Sequence, residues 1–78
     1  MGTRTHRLID AAPGPCTVHQ VSLPEGPRRR LAELGLRVGV AIHVLQRTAG
    51  GGVVVGIGGS RIAVDRATAG LIAVGTAG

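Results

Sequence analysis

Glycine divides the apolar part of this sequence into runs that are too short for long helices. The chain has 78 residues, 14 of them glycine, and its Val, Ile and Ala residues fall in short stretches between the glycines. This pattern favours a mostly β domain with tight turns. A chain of this length forms a single domain with a small core, since folding buries only about 60% of the surface of the unfolded chain.

Composition changes near both ends of the chain. Residues 1–12 are mostly polar and predict a flexible N-terminal segment, of which only one or two residues pack. Residues 13–75 hold the apolar runs and predict the folded domain, and residues 76–78 predict a tail. No stretch approaches the roughly 18 apolar residues of a membrane span, and no secretory signal is predicted.

A short helix is predicted over residues 27–34. Pro27 suits the first helical position, and Gly35 suits the position just past the helix end. In that frame Leu31 and Leu36 form the hydrophobic pair that accompanies a Schellman cap. The sequence therefore defines the end of this helix well.

Five short strands, with the helix after the first of them, are predicted to form a small SH3-like barrel, because closure removes exposed sheet edges. A slip in the alternation between Val18 and Val21 predicts a bulge in the first strand. Gly58-Gly59 predicts a tight hairpin with Val55 opposite Ile62. The predicted strands are Cys16 to Leu23, Val40 to Arg47, Val53 to Ile57, Ser60 to Asp65 and Leu71 to Val74.

The apolar residues of these elements predict the core. Alternate strand residues face inward, and Leu31 and Leu34 share one face of the helix with Pro27. The predicted core consists of Val18, Leu31, Leu34, Leu36, Ile42, Val44, Val55, Ile57, Ile62, Val64 and Ile72.

All nine basic residues are arginine, and four acidic residues leave a net charge of +5. This charge attracts acidic proteins, nucleic acid or anionic lipid, and does not choose among them. Phe, Tyr and Trp are absent, although these residues line polyproline grooves and stack on bases. Their absence argues against a nucleic-acid-binding barrel.

Catalytic and cofactor motifs are not recognisable. The acidic residues are scattered, and no serine or cysteine has a base beside it in a motif, so we expect no enzyme activity. Gly50-Gly51-Gly52 and Gly56 to Gly59 lack the Lys-Ser/Thr of a phosphate loop, and Arg61 replaces the third glycine of a dinucleotide fingerprint. We interpret these glycines as turn residues and predict no cofactor.

Cys16, His19 and His43 are weak candidates for metal ligands. They are single residues on two predicted strands and lack the paired spacing of a zinc or iron site. We therefore predict no tight metal site in the monomer. A single cysteine also excludes an intramolecular disulfide and fits a reducing, cytoplasmic location.

Arg28-Arg29-Arg30 is the sharpest local charge feature. Three cations in a first helical turn face the positive end of the helix dipole, so local stability does not explain them. A pair of Arg29 with Glu33 would have the less favourable order. With Glu33 and Arg37, the cluster predicts a surface that binds an anionic partner; the alternative is a solvated face.

The segment Arg29-Arg30-Leu31-Ala32-Glu33-Leu34-Gly35-Leu36-Arg37-Val38-Gly39 resembles the RRLxELGLxxG signature of the FeoA family. The resemblance extends from about Pro13 to Val74. It departs from the family pattern at Val38, where proline is frequent, at Val64, where leucine is common, and in the lack of aromatic residues. The residues that carry the structural signature are Leu31, Leu34, Gly35, Leu36 and Gly39.

The resemblance implies an SH3-like barrel that supports FeoB, a membrane transporter of ferrous iron with a cytosolic GTPase domain. The implied partner is that transporter, and the protein would contact the membrane only through it. Weak homo-oligomerisation is left as an open alternative. One alternative is a basic barrel that binds RNA or the ribosome. Another is a metal-responsive domain similar to the C-terminal domain of metal-dependent repressors, although the length leaves no room for a helix-turn-helix domain.

Overall fold

The structure, a computed structural model, describes residues 3–77. Two helices, α1 at Glu25–Glu33 and α2 at Arg66–Ala69, and one 3₁₀ turn at Leu8–Asp10 lie between the strands. The strands are β1 Thr3–Arg7, β2 Gly14–Val21, β3 Ala41–Arg47, β4 Val53–Ile57, β5 Ser60–Val64 and β6 Ile72–Ala77.

All six strands form one antiparallel sheet in the order β1-β6-β2-β3-β4-β5. The prediction of a mostly β fold is therefore confirmed, with one strand more than expected. The β4–β5 hairpin has the predicted register, with Val55 opposite Ile62 and Ile57 opposite Ser60. Gly58 adopts a φ of +59° in the turn between them, which glycine permits without steric cost.

The predicted bulge in β2 is present. Val18 pairs with Val74 of β6, and the next paired residue of β2 is Gln20, opposite Ala73. His19 is therefore the extra residue of the bulge, and it is exposed. A second irregularity, which the sequence did not indicate, lies between Val44 and Gln46 where β3 pairs with β4.

The first residues of the chain differ from the prediction of a flexible segment over residues 1–12. β1 pairs with β6 along its whole length, and Leu8 and Ala11 belong to the core. β1 gains its stability from backbone hydrogen bonds to β6, so its sequence can be polar. A pattern of alternating apolar residues therefore does not reveal this strand. Residues 1 and 2 lie outside the described residues.

The other chain end also differs from the prediction of a tail over residues 76–78. Thr76 and Ala77 belong to β6 and pair with residues of β1. Gly78 lies outside the described residues. β6 therefore extends beyond the predicted strand Leu71 to Val74, because β1 pairs with its polar end.

Seven of the predicted core residues are buried: Val18, Leu36, Ile42, Val44, Val55, Val64 and Ile72. Leu31, Ile57 and Ile62 are partly buried against the core. Leu34 is 52% exposed, so its prediction as a core residue was wrong. The core residues that the sequence reasoning missed are Leu8, Ala11, Cys16, Val21, Val53, Ala69 and Val74.

Helix α1 ends as predicted and begins earlier. The Leu36 N–H donates to the Leu31 carbonyl at 2.9 Å, and the Gly35 N–H donates to the Ala32 carbonyl at 3.0 Å. These are the two hydrogen bonds of a Schellman motif, with Gly35 at a φ of +102°. The helix starts at Glu25, and Pro27 occupies its third position, where a missing N–H is still tolerated because first-turn N–H groups lack helical partners.

Neither helix within residues 3–77 has the length and apolar character that crossing a membrane requires.

Candidate functional site

Helix α1 is the most exposed regular element that carries predicted site residues. None of its residues is buried, and Arg28, Arg29, Arg30 and Glu33 are all exposed. Arg37, in the loop that follows, is exposed as well. The structure therefore presents all five predicted partner-binding residues to solvent, four on α1 and one in the loop after it.

A groove lies between α1 and β2, here named the β2 groove, with a volume of about 600 Å³. Val21 and Leu36, both buried, contribute to its lining together with Ala32. Arg28 and Arg37 bring positive charge to the same groove. Arg29 and Glu25 also line it, so the groove combines an apolar base with three guanidinium groups and one carboxylate.

A smaller groove of about 330 Å³ lies on the other side of α1, towards α2, and is named the α2 groove. Leu31 and Leu34 line it from α1, and Leu23 lines it from the segment before the helix. Arg30 is the only arginine among its lining residues, with Asp65 from the start of α2. The exposed Leu34 therefore belongs to the wall of a surface groove, which explains why a core prediction failed there.

Arg29 pairs with Glu25 and not with Glu33. Its Nη2 lies 2.9 Å from the Glu25 Oε1, and both side chains are well exposed. Glutamate four residues before arginine is the favourable order on a helix. Because the helix starts at Glu25, Arg29 and Arg30 lie beyond its first turn, so the predicted conflict with the helix dipole does not hold for these two residues.

The remaining arginines of this surface have no ion-pair partner in the part of the chain that the structure describes. The ion pairs among residues 3–77 are Arg7 with Asp10 and Arg29 with Glu25. Arg28, Arg30 and Arg37 take part in neither. These three cations are free to meet the carboxylates of another molecule.

The signature glycines shape the loop that brings Arg37 and Val38 to the β2 groove. Gly35 and Gly39 have φ values of +102° and +91°, which few other residues adopt. The Gly39 N–H donates to the Val18 carbonyl at 2.8 Å, which fixes the loop against β2. Val38 consequently stands 63% exposed at the groove.

The structure does not bring the candidate metal ligands together. Cys16 is buried, pairs with the buried Ile42 on β3, and its burial raises the pKa of the thiol. His43 follows Ile42 on the strand and is exposed, so it faces away from Cys16. His19 projects from the bulge in β2. Across the described residues no three His, Cys, Asp or Glu side chains are grouped as a metal site would need.

Sequence reasoning missed His19, Gln20 and Val38 as residues of the β2 groove. The bulge at His19 was a signal, because an extra residue turns side chains out of the regular alternation. In the sequence, Val38 stands out only as a departure from the family pattern. An exposed valine between two predicted site elements gives no local signal of a groove, since the groove exists only after α1 packs beside β2.

Comparison with known proteins places the chain in a family. The FeoA domain model matches residues 6–75. A crystal structure of an iron uptake regulatory protein (FeoA) is 28% identical with a TM-score of 0.80, covering 91% of this chain and 96% of that one. A solution structure of the FeoA protein from Chlorobium tepidum is also 28% identical at a TM-score of 0.80, covering 88% of this chain and 68% of that one.

The solution structure of iron(II) transport protein A from Clostridium thermocellum is 24% identical, with a TM-score of 0.79, and covers 88% of this chain and 44% of that one. It supports the fold. No match is found among curated protein sequences. These neighbours are SH3-like domains, so the predicted SH3-like fold is confirmed. Given a family match over most of its length, the chain belongs to the FeoA family.

Proposed function

We propose that this protein is a non-enzymatic, cytoplasmic accessory module that docks on a FeoB-type ferrous iron transporter and supports or regulates Fe(II) uptake. Membership of the FeoA family implies a role in ferrous iron transport. The similar proteins bear the names iron uptake regulatory protein and iron(II) transport protein A, which agree with such a role.

The observation that carries the docking proposal is the surface around α1. Arg28, Arg30 and Arg37 are exposed and have no ion pair within residues 3–77, and two of them line a groove with an apolar base. Protein interfaces combine an apolar centre with a charged rim, and arginine is enriched in them. The surface fits a partner segment that offers carboxylates beside small apolar side chains.

The acidic residues support a non-enzymatic function. Asp10 and Glu25 are held in ion pairs, Asp65 caps α2, and Glu33 is exposed. Among the described residues no polar or charged side chain is buried. General acids and bases are usually tuned by burial or by a close charged partner in a cleft. These carboxylates have the environments of structural and surface groups.

The docking proposal is tested by reversing the unpaired charges. The variant Arg28→Glu/Arg30→Glu/Arg37→Glu should fold normally, because none of these side chains is buried. Binding to the purified cytosolic domain of the transporter should weaken by about tenfold or more, mainly through slower association. Wild-type binding should also weaken as salt is raised.

The matched control is Arg61→Glu, which reverses one exposed charge on β5, away from both grooves along α1. This variant should bind the cytosolic domain of the transporter as wild type does. It should also restore iron uptake in a strain that lacks this protein. The proposal fails if the folded triple variant restores iron uptake fully. Loss of RNA binding with unchanged transporter binding would favour the nucleic-acid alternative instead.

A further inference from the structure

A second basic region lies apart from α1. Three arginines, Arg7, Arg47 and Arg66, line one cleft between the 3₁₀ turn, the β3–β4 loop and α2, which we name the arginine cleft. Its volume is about 870 Å³, and it shares no lining residue with the grooves along α1. The family signature and the proposed docking surface leave this cleft without a function.

The charges of the arginine cleft are only partly balanced. Asp10 is the one acidic residue among its lining residues, and its Oδ2 lies 3.0 Å from the Arg7 Nε. Arg47 and Arg66 take part in no ion pair within residues 3–77. Two positive charges therefore line the same cleft without an ion-pair partner among residues 3–77, and such a concentration of one sign of charge attracts an anion.

The guanidinium of Arg47 is held in place by the fold. Its Nη2 donates to the carbonyl of Ala11 at 3.0 Å, and Ala11 is itself a core residue. A guanidinium has five N–H donors, so this bond leaves the others available. An orientation fixed before binding reduces the conformational entropy that a ligand must overcome.

The side chain of Arg66 lies against Gly51 in the β3–β4 loop. A Cβ on Gly51 would lie 3.0 Å from the Arg66 Cδ, so a larger residue at this position would displace the stem of the arginine. Gly51 also has a φ of +89°, which independently favours glycine. Glycine at position 51 thus allows the stem of Arg66 to lie close to the loop backbone.

Two backbone donors of the same loop are already occupied. The Gly51 N–H donates to the Thr48 carbonyl at 3.0 Å, and the Gly52 N–H donates to the Thr48 Oγ1 at 3.0 Å. These two amides are therefore not available to an anion, and the positive charge of the cleft comes from its guanidinium groups. The planar fork of arginine donors matches the oxygens of phosphate, to which two parallel N–H bonds can be made.

We propose that the arginine cleft binds a phosphate group, carried by an anionic lipid head group or by a small soluble phosphate, with Arg47 and Arg66 as its main ligands. Leu71, 47% exposed, also lines the cleft and would lie beside the carrier of that phosphate. This proposal concerns a different surface from the docking proposal, and neither depends on the other.

The test uses the intact protein and follows its backbone amides by NMR while inorganic phosphate replaces chloride at constant ionic strength. We expect saturable shifts confined to the three segments around the cleft, residues 7–11, 47–52 and 66–71. Arg66→Gln should weaken binding by about tenfold, as expected for losing hydrogen bonds to a charged group. Arg61→Gln removes an equal charge on β5 and should bind as wild type does.

A second arm identifies the source of the phosphate. Vesicles of phosphatidylglycerol with phosphatidylcholine are compared with phosphatidylcholine alone in a sedimentation assay. Loss of vesicle binding in Arg66→Gln but not in Arg61→Gln assigns the site to a lipid head group, whereas phosphate shifts without vesicle binding assign it to a soluble phosphate. The proposal is overturned if neither ligand binds, or if both variants lose binding equally, which would show only a diffuse charge effect.

Discussion

Two leucines of the family signature have opposite environments. Leu36 is 1% exposed, and Leu34, two residues earlier, is 52% exposed. The Schellman turn between them reverses the chain, so that Leu36 enters the core while Leu34 stays on the helix surface at its C-cap. The stability of this small domain should therefore depend strongly on one leucine and weakly on the other.

We expect Leu36→Ala to lower the free energy of unfolding by about 2 to 4 kcal/mol, because truncation of a fully buried leucine leaves a cavity. Leu34→Ala should cost less than about 1 kcal/mol, as for an exposed position. Urea denaturation of both variants measures the difference. Equal losses would show that α1 packs more deeply than the structure indicates.

Asp65 gives a prediction about pH. Its Oδ1 accepts a hydrogen bond of 2.7 Å from the Thr68 N–H at the start of α2, and this bond holds the pKa of the carboxyl below its ordinary value of 3.8. The charged form is thus favoured in the folded state, so its contribution is complete above about pH 4 and is lost as pH falls through the lowered pKa.

Asp65→Asn keeps an N-cap side chain but cannot titrate there. The melting temperature of wild type should therefore fall more steeply below pH 4 than that of Asp65→Asn. The two proteins differ only at this residue, so the difference between the two curves reports Asp65. Parallel curves down to pH 2 would contradict the role of the cap.

At the scale of elements, helix α1 has a well-defined end and a less regular start. Gly35 combines a φ of +102° with a close neighbour, since a Cβ there would lie 3.0 Å from the Ile57 Cγ2. Gly26, in the first turn, has open space around it and an ordinary φ. The two glycines of one element should therefore respond in opposite ways to the same substitution.

Gly35→Ala should destabilise the protein by about 1 to 2 kcal/mol, because an L-residue is strained in that backbone conformation. Gly26→Ala should stabilise it by about 0.5 kcal/mol, because alanine loses less conformational entropy in a helix. Thermal melting of the pair, each protein serving as the other's control, tests this. Stabilisation by Gly35→Ala would show that the Schellman turn is not formed.

At the scale of the whole molecule, the sheet keeps the three candidate metal ligands apart. Cys16 lies on the core side, whereas His43 and His19 are exposed. Burial also raises the pKa of the Cys16 thiol, which therefore resists the deprotonation that metal binding requires. The fold thus works against a metal centre made of these three residues.

We therefore expect no stoichiometric, sub-micromolar binding of Fe²⁺ or Zn²⁺ by the monomer. Calorimetric titration under anaerobic, reducing conditions measures it, with Cys16→Ser as a variant that removes the thiol. A tight site that disappears in His43→Ala would refute this expectation.

Local patterns in the sequence determined the parts of the fold that depend on neighbours along the chain. The Gly58-Gly59 hairpin and its register, the bulge after Val18 and the end of α1 at Gly35 all follow from turn chemistry and side-chain alternation. These features involve residues a few positions apart, so their energetic reasons are visible in sequence.

Tertiary structure alone decided the features that join distant segments. β1 forms because β6, some 70 residues away, offers it a backbone ladder, and Leu8 then fills the core. Leu34 stays exposed and both grooves exist because of how α1 lies against β2 and α2. Arg7, Arg47 and Arg66 share a cleft for the same reason. Such contacts depend on backbone hydrogen bonds and packing between remote elements, which composition and periodicity do not encode.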